Sequence, residues 1–182
     1  MERISVTMIR RDMNGLPVFE LPVGYRFVTY KTGDEIAWAE IEYSAGEFPS
    51  LQEALDRFNL EFLPHTDDME DRCFFVETAD GRKIGTGTAW YNPDFMGEIF
   101  GQVHWISLHP DFHGRGIGKA IVSRVMQRLT LSHDKAYLRS STKSFAAINI
   151  YLAFGFIPLP GTPDFDKAWK LIHEAITARS RQ

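Results

Sequence analysis

Apolar positions along the chain change spacing several times, and each change marks an element. The runs CFFVET and KIGTGTAWY, joined by ADGR, predict a hairpin whose turn signal is Asp80-Gly81. EIFGQVHWISLHP follows, rich in aromatic and β-branched residues but without clean two-residue alternation, which predicts a central strand covered on both faces. Ile117, Ile121, Val125 and Leu129 then share one helical stripe, with Arg124 and Arg128 off it. KAYLRSST reads as a short strand, and SFAAINIYLAFGF as a helix ended by Gly155. After the proline-broken PLPGTPD, the segment DFDKAWKLIHEAITARS predicts a terminal helix.

Upstream, ISVTMIRRDMNGLPVFELP predicts a strand, a turn at Asn14-Gly15 and an extended piece bounded by Pro17 and Pro22. GYRFVTYKTG predicts a strand leading to Asp34 as a helix N-cap, with Ile36, Ala37, Trp38, Ala39 and Ile41 at mostly helical spacing. Ser50, with Glu53 three residues on, predicts a capping box for a second helix carrying Leu51, Leu55, Phe58 and Phe62. The order is strand, two helices, three strands, helix, strand, helix, a short strand and helix. That is a mixed α/β plan whose crossover helices require some parallel pairing.

Composition narrows the class. A chain of 182 residues with 44% apolar and 24% charged residues predicts one domain with a real core. Its net charge of −4 does not point to nucleic acid. No run approaches the roughly 18 apolar residues of a membrane span, and MERISVTMIRRDMNG lacks the apolar core of a signal peptide. The single Cys73 excludes an intramolecular disulfide, gives no metal-ligand spacing and, before Phe74, Phe75 and Val76, reads as a small buried hydrophobe. A cytoplasmic setting without metal or membrane is the expectation.

The candidate chemistry starts at HPDFHGRGIGKAI, between a strand and a helix. A Walker-type loop fails there, because Gly118-Lys119 is followed by Ala120 and the place five before Gly118 is His113. A dinucleotide loop fails because Lys119 stands where the third glycine belongs. What remains is a run of main-chain N–H groups entering a helix whose dipole favours an anion. Gly114, Gly116 and Gly118 leave room for a bulky phosphate, and Arg115 and Lys119 add charge at the rim. A pyrophosphate fits; a tight strand-to-helix turn without a ligand is the alternative.

On these residues the sequence resembles the GCN5-related N-acetyltransferase (GNAT) superfamily. His113-Gly114-Arg115-Gly116-Ile117-Gly118 matches that family's [RQ]-x-x-G-x-[GA] motif except at its first place, and ISLHPDF resembles the strand end before it. Ser144 to Tyr151, followed by Gly155-Phe156, matches N-x-x-A-x-x-[LI]-Y and its Gly-Phe, with Ser144 in the Asn place. The resemblance runs from about Gly24 to Pro158. Residues 1–23 and the terminal helix lie outside that common core, and no segment presents itself as the usual final strand.

The resemblance implies an α/β (α+β) fold with a mixed, mostly antiparallel central sheet, crossover helices and splayed central strands. It implies acetyl-CoA as co-substrate and transfer to an amine of a small molecule or peptide by direct attack. The pantetheine arm would pair with the main chain at Ile106 and Leu108, where one N–H would polarise the acetyl carbonyl. The amides from His113 to Lys119, Ile117 included, would hold the pyrophosphate, and Ser144 would sit near the CoA chain. Tyr151 would donate a proton to the departing thiolate; packing between Ile150 and Leu152 is its alternative role.

His104 is the candidate base. In an unbroken strand it faces the side of Ile106 and Leu108, a parity that a bulge would undo, with Glu98 and Gln102 as neighbours. A structural histidine is the alternative. The acceptor would be framed by residues 43–48, by residues 91–97 and by the segment after Phe156. Glu42, Glu47, Asp94 and Glu98 there are placed to hold a small cationic amine, although a solvated loop face explains them as well. Trp38, Trp90 and Trp105 read as core. A silent CoA-binding sensor, another acyl donor or an O-acceptor are the rival functions, and a second copy of the chain is a candidate partner.

Overall fold

The computed structural model describes residues 2–179. The element order is β1 (Ser5–Arg10), β2 (Tyr25–Thr29), α1 (Glu35–Ser44), α2 (Leu51–Glu61), α3 (Thr66–Arg72), β3 (Cys73–Thr78), β4 (Lys83–Phe95), β5 (Glu98–Leu108), α4 (Ile117–Leu129), β6 (Ala136–Ser141), α5 (Phe145–Ala153), β7 (Ile157–Pro158) and α6 (Phe165–Arg179). The strands form a seven-stranded sheet in the order β2-β3-β4-β5-β6-β1-β7. All neighbours are antiparallel except β5 and β6, which the α4 crossover joins in parallel. Among the described residues, no helix is long and apolar enough to cross a membrane.

Local chemistry accounts for most boundaries. The Ser50 side chain accepts the Glu53 N–H at 3.2 Å and starts α2. Asp34 sits at the N-cap of α1 but does not cap it. Its carboxylate accepts the Lys31 N–H and pairs with Lys83 at 2.8 Å, so the expected cap is spent on the sheet. The Asp80-Gly81 hairpin turn forms as expected, with Gly81 at φ 89°. The helix α3 has no counterpart in the sequence expectation, because TDDMEDR buries only Met69 and so shows no apolar stripe. The terminal helix follows the expected segment; Ser180, its last quoted residue, lies outside the described residues.

Helices cover both faces of the sheet. On one, Trp38, Phe58, Phe62 and Met69 pack against Cys73 and Phe75. On the other, Val122, Val125, Met126 and Leu129 of α4 pack with Phe74, Val103 and Leu138. β3 therefore buries five of its six residues, which is why CFFVET is a continuous apolar run. Burial pushes the Cys73 thiol up to about 11, in keeping with an inert core residue.

The N-terminal segment, expected outside the common core, adds a strand to the sheet. β1 pairs with β6 from Ser5↔Ser141 to Arg10↔Ala136 and with β7 at Met8↔Pro158, burying Val6 and Met8. Among the described residues no further strand follows β7, and β1 lies between β6 and β7 in this half of the sheet. Beyond the Asn14-Gly15 turn the chain crosses α4, where the Phe19 N–H donates to Ser123 Oγ at 3.1 Å.

Two departures from regular strand geometry shape the site. The expected loop at residues 91–97 is a continuation of β4 to Phe95, closed by Met96 and Gly97 at φ 59° and 78°. The Phe95 ring stacks on Tyr137 at 3.9 Å, so this hairpin end belongs to the core. In β5, Trp105 has φ 47°, and the register slips between Thr86↔Ser107 and Thr88↔His104. This is a β-bulge, and it inserts one residue into the alternation.

Candidate active site

β5 and β6 pair only from Gly101↔Ala136 to Val103↔Leu138, although β5 runs on to Leu108 and β6 to Ser141. Beyond that point they separate, as expected, and the gap opens into a cleft of about 740 Å³. The structure brings Ile106, Leu108, His113, Gly114, Gly116, Gly118, Lys119, Ser144 and Tyr151 together in its wall. Arg115, Ile117 and His104 are not in that wall.

The glycine loop follows from backbone geometry. After the turn Pro110–Phe112, Gly114 and Gly116 take φ 79° and 82°, a region that side chains rarely enter. No atom lies within 4 Å of where either Cβ would project, so both face open space. Gly116 is the N-cap of α4 and supplies no capping side chain, which leaves the amides of the first turn open to the cleft. Lys119, Lys143 and Arg179 add positive charge to the same wall. Such a cradle fits a pyrophosphate.

The side chains around the loop divide the work differently from the sequence expectation. His113, in the place of Arg or Gln, puts Nε2 3.0 Å from the Leu108 carbonyl and fastens the loop to the end of β5. Arg115 turns away, donating to Tyr25 Oη at 3.0 Å and to the Asp111 carbonyl at 3.1 Å. Ile117 packs its side chain with Val76, Ile84 and Ile121, leaving only its main chain for the cleft. Lys143 and Arg179 went unmarked in the sequence, because neither belongs to a motif.

Tyr151 is 6% exposed in the cleft wall, with its ring edge-on to Phe156. Burial first, then the charges of Glu47 and Glu42, raise its phenol above the ordinary tyrosine range. The phenol therefore keeps its proton at neutral pH, as a proton donor must.

His104 is displaced by the bulge. Its Nε2 bonds the Glu61 carboxylate, its Nδ1 lies 3.0 Å from Gln102 Nε2, and its ring packs edge-on against Phe62. Trp105, the next residue, faces the same way and donates Nε1–H to Glu61 at 3.2 Å. Burial works against the Glu61 carboxylate, but its bonds to His104 and Trp105 and the nearby Arg57 hold its carboxyl below the usual range. Ile106, by contrast, lies beside Ile121 and Val125 of α4, over Gly87. His104 and Ile106 thus sit on opposite faces, against the parity of an unbroken strand.

Of the acids named for the acceptor, Glu47 lines the cleft and pairs with Arg3 at 3.0 Å. Asp94 is exposed at the hairpin end, and Glu98 is bound by Lys135 and Arg11. Glu42 is completely buried on the inner side of α1, where Ser107 Oγ donates to Glu42 Oε2 at 2.6 Å. Burial foremost, with the charge of Glu47 adding, raises its carboxyl to about 8 against the opposing Ser107 hydrogen bond. Sequence reasoning grouped it with loop acids. The signal for its burial was its place four residues after Trp38 on the apolar stripe of a helix.

Residues 35–156 match the family described as the Acetyltransferase (GNAT) family. The chain belongs to that family. Its relatives include a mycothiol acetyltransferase of Streptomyces coelicolor, 27% identical over 84% of this chain and 50% of the relative. Another mycothiol acetyltransferase, from Actinosynnema mirum, is 26% identical over 82% of this chain and 50% of its own length. The chain thus spans about half the length of the curated relatives it matches. Among solved structures, a GCN5-related N-acetyltransferase from Sphaerobacter thermophilus superposes with a TM-score of 0.69 at 20% identity, over 86% of this chain and 49% of the other. An acetyltransferase of the GNAT family from Colwellia psychrerythraea gives 0.64 at 13%, over 86% and 53%. These two likenesses establish the GNAT fold. β1 and β2 lie outside the matched span.

Proposed function

We propose that this GNAT domain moves an acetyl group from acetyl-CoA to an amine of a small molecule or peptide, by direct attack with both substrates bound. The observation that carries this reading is the meeting of the open-amide loop, the unpaired edge of β5 and the Tyr151 phenol in one cleft. The main chain from His113 to Lys119, with the Lys119 ammonium, binds the pyrophosphate. The unpaired stretch from Ile106 to Leu108 receives the pantetheine arm, and an N–H there polarises the acetyl carbonyl. Ser144, at the start of α5, lines the path of the chain. Tyr151 donates its phenolic proton to the departing thiolate.

Two relatives bear the name mycothiol acetyltransferase, which puts small-molecule acceptors related to mycothiol first in any trial. The test is calorimetry with CoA and acetyl-CoA, followed by thiol release from acetyl-CoA across amines, amino acids, aminoglycosides, peptides and mycothiol-type acceptors. CoA binding together with acceptor-dependent thiol release is the expected result. A protein that neither binds CoA nor turns over any acceptor would remove the reading.

A further inference from the structure

The His104 cluster faces away from the cleft wall, so the proton that the attacking amine must lose needs another destination. We infer that Glu42 is that destination, reached through Ser107. Three observations converge on it. Ser107 stands between Ile106 and Leu108, in the cleft wall that also holds Tyr151. Its hydroxyl donates to Glu42 Oε2 at 2.6 Å, so cleft and carboxyl are one hydrogen bond apart. Glu42 is 0% exposed, and its other oxygen, Oε1, has no hydrogen-bond partner. A buried carboxyl held by one hydroxyl and otherwise unsatisfied is costly to keep, and a proton-accepting role explains its presence.

The surroundings suit that role. The charged group that acts on Glu42 is a second acid, Glu47, in the segment after α1. Across from it stand the Cys73 thiol of β3 and the Tyr151 phenol of α5, each of which feels the Glu42 charge. On the strand beside them, β4 places the uncharged hydroxyls of Thr86 and Thr88 next to Cys73. Further along β5 and α2 lies the self-contained His104–Glu61 pair. With burial and Glu47 both disfavouring the carboxylate, the carboxyl titrates close to neutrality, where a general base works best.

The step balances as written. The neutral amine nitrogen forms the N–C bond to the acetyl carbon while the C–S bond breaks. The amine proton passes to Ser107 Oγ as the Ser107 proton passes to Glu42 Oε2. The departing sulfur takes the phenolic proton of Tyr151. Glu42 ends protonated and Tyr151 ionised, and exchange with water restores both. Ser107 is the relay that touches the substrate; Glu42 acts through it.

This inference rests on the acetyl-transfer reading, and the test separates the two. The probe is acetyl-CoA alone, binding by calorimetry and hydrolysing with water as acceptor, so that no amine titration overlies the pH profile. Wild type that does not bind acetyl-CoA defeats the acetyl-transfer reading itself. Given binding, E42Q should keep an affinity within about twofold and lose ~10²–10⁴ in rate. It should also lose the rise of rate with pH centred near 8. S107A should lose the same rise while Glu42 still titrates. Infrared difference spectra should show a protonated-carboxyl band in wild type that fades as pH passes about 8 and is absent from E42Q. E42Q with the wild-type rate and pH limb, or wild type without such a band, overturns the assignment.

Discussion

The guanidinium of Arg10, on β1, donates to the main-chain carbonyl of Phe154 at the C-terminal end of α5. The same side chain donates to the carbonyls of Asp12 and Asn14, at 2.5 Å each. It therefore binds the N-terminal segment to the helix that carries Tyr151, and satisfies a carbonyl that the helix end leaves open. The pairing ties a strand outside the family's matched span to the machinery inside it.

Arg10→Ala should accordingly loosen α5. A charged donor to a partly buried carbonyl contributes about 1.5–3 kcal/mol, so the variant should lose unfolding free energy of that order and unfold at a lower denaturant midpoint. Hydrogen exchange should also quicken at the amides of α5. A variant with unchanged stability and unchanged α5 protection would show that β1 does not support the site.

The glycine cradle gives a binding prediction. At φ 82°, Gly116 is the N-cap of α4 with open space where a Cβ would project. Gly116→Val should strain that conformation and fill the space proposed for the phosphate. Calorimetry should report at least a tenfold weaker Kd for CoA, with far-ultraviolet dichroism unchanged. Wild-type affinity in this variant would move the pyrophosphate elsewhere.

The Glu42 carboxyl makes stability depend on pH. Its folded value lies near 8, above the ordinary carboxyl range, so between about 4.5 and 8 the folded state holds a proton that the unfolded state has lost. Stability then falls as pH rises through that window, by at most ~1.4 kcal/mol per pH unit. Glu42→Gln carries no such proton. Urea unfolding of both proteins at pH 5 and pH 8.5 should show the variant gaining on wild type at the higher pH; parallel stability at both values would place Glu42 outside a dry environment.

How much of this was legible in the sequence depends on the range of the interaction involved. The β3–β4 turn at Asp80-Gly81, the α2 cap at Ser50 and the stripe of α4 are local and read directly from spacing. The bulge at Trp105 was not legible. A tryptophan at φ 47° is held by long-range partners, namely the Glu61 carboxylate, the edge of Trp38 and the face of Phe48. The parity argument for His104 fails for that reason. The sheet position of β1 was hidden likewise, because Ser5 pairs with Ser141, far along the chain. Gly114 and Gly116 line the cleft, as their place in a loop between strand and helix suggests; the side chain of Arg115 is directed elsewhere by contacts with Tyr25 and Asp111 that only the tertiary structure sets.

The most direct measurement compares thiol release from saturating acetyl-CoA by wild type and Tyr151→Phe, in the presence of an acceptor found in the panel. The phenol is buried in the cleft wall and held protonated, so its removal should lower turnover by ~10²–10⁴ while the calorimetric Kd for acetyl-CoA stays within about twofold. Unchanged turnover with unchanged binding would take Tyr151 out of the chemistry and contradict the account of the cleft.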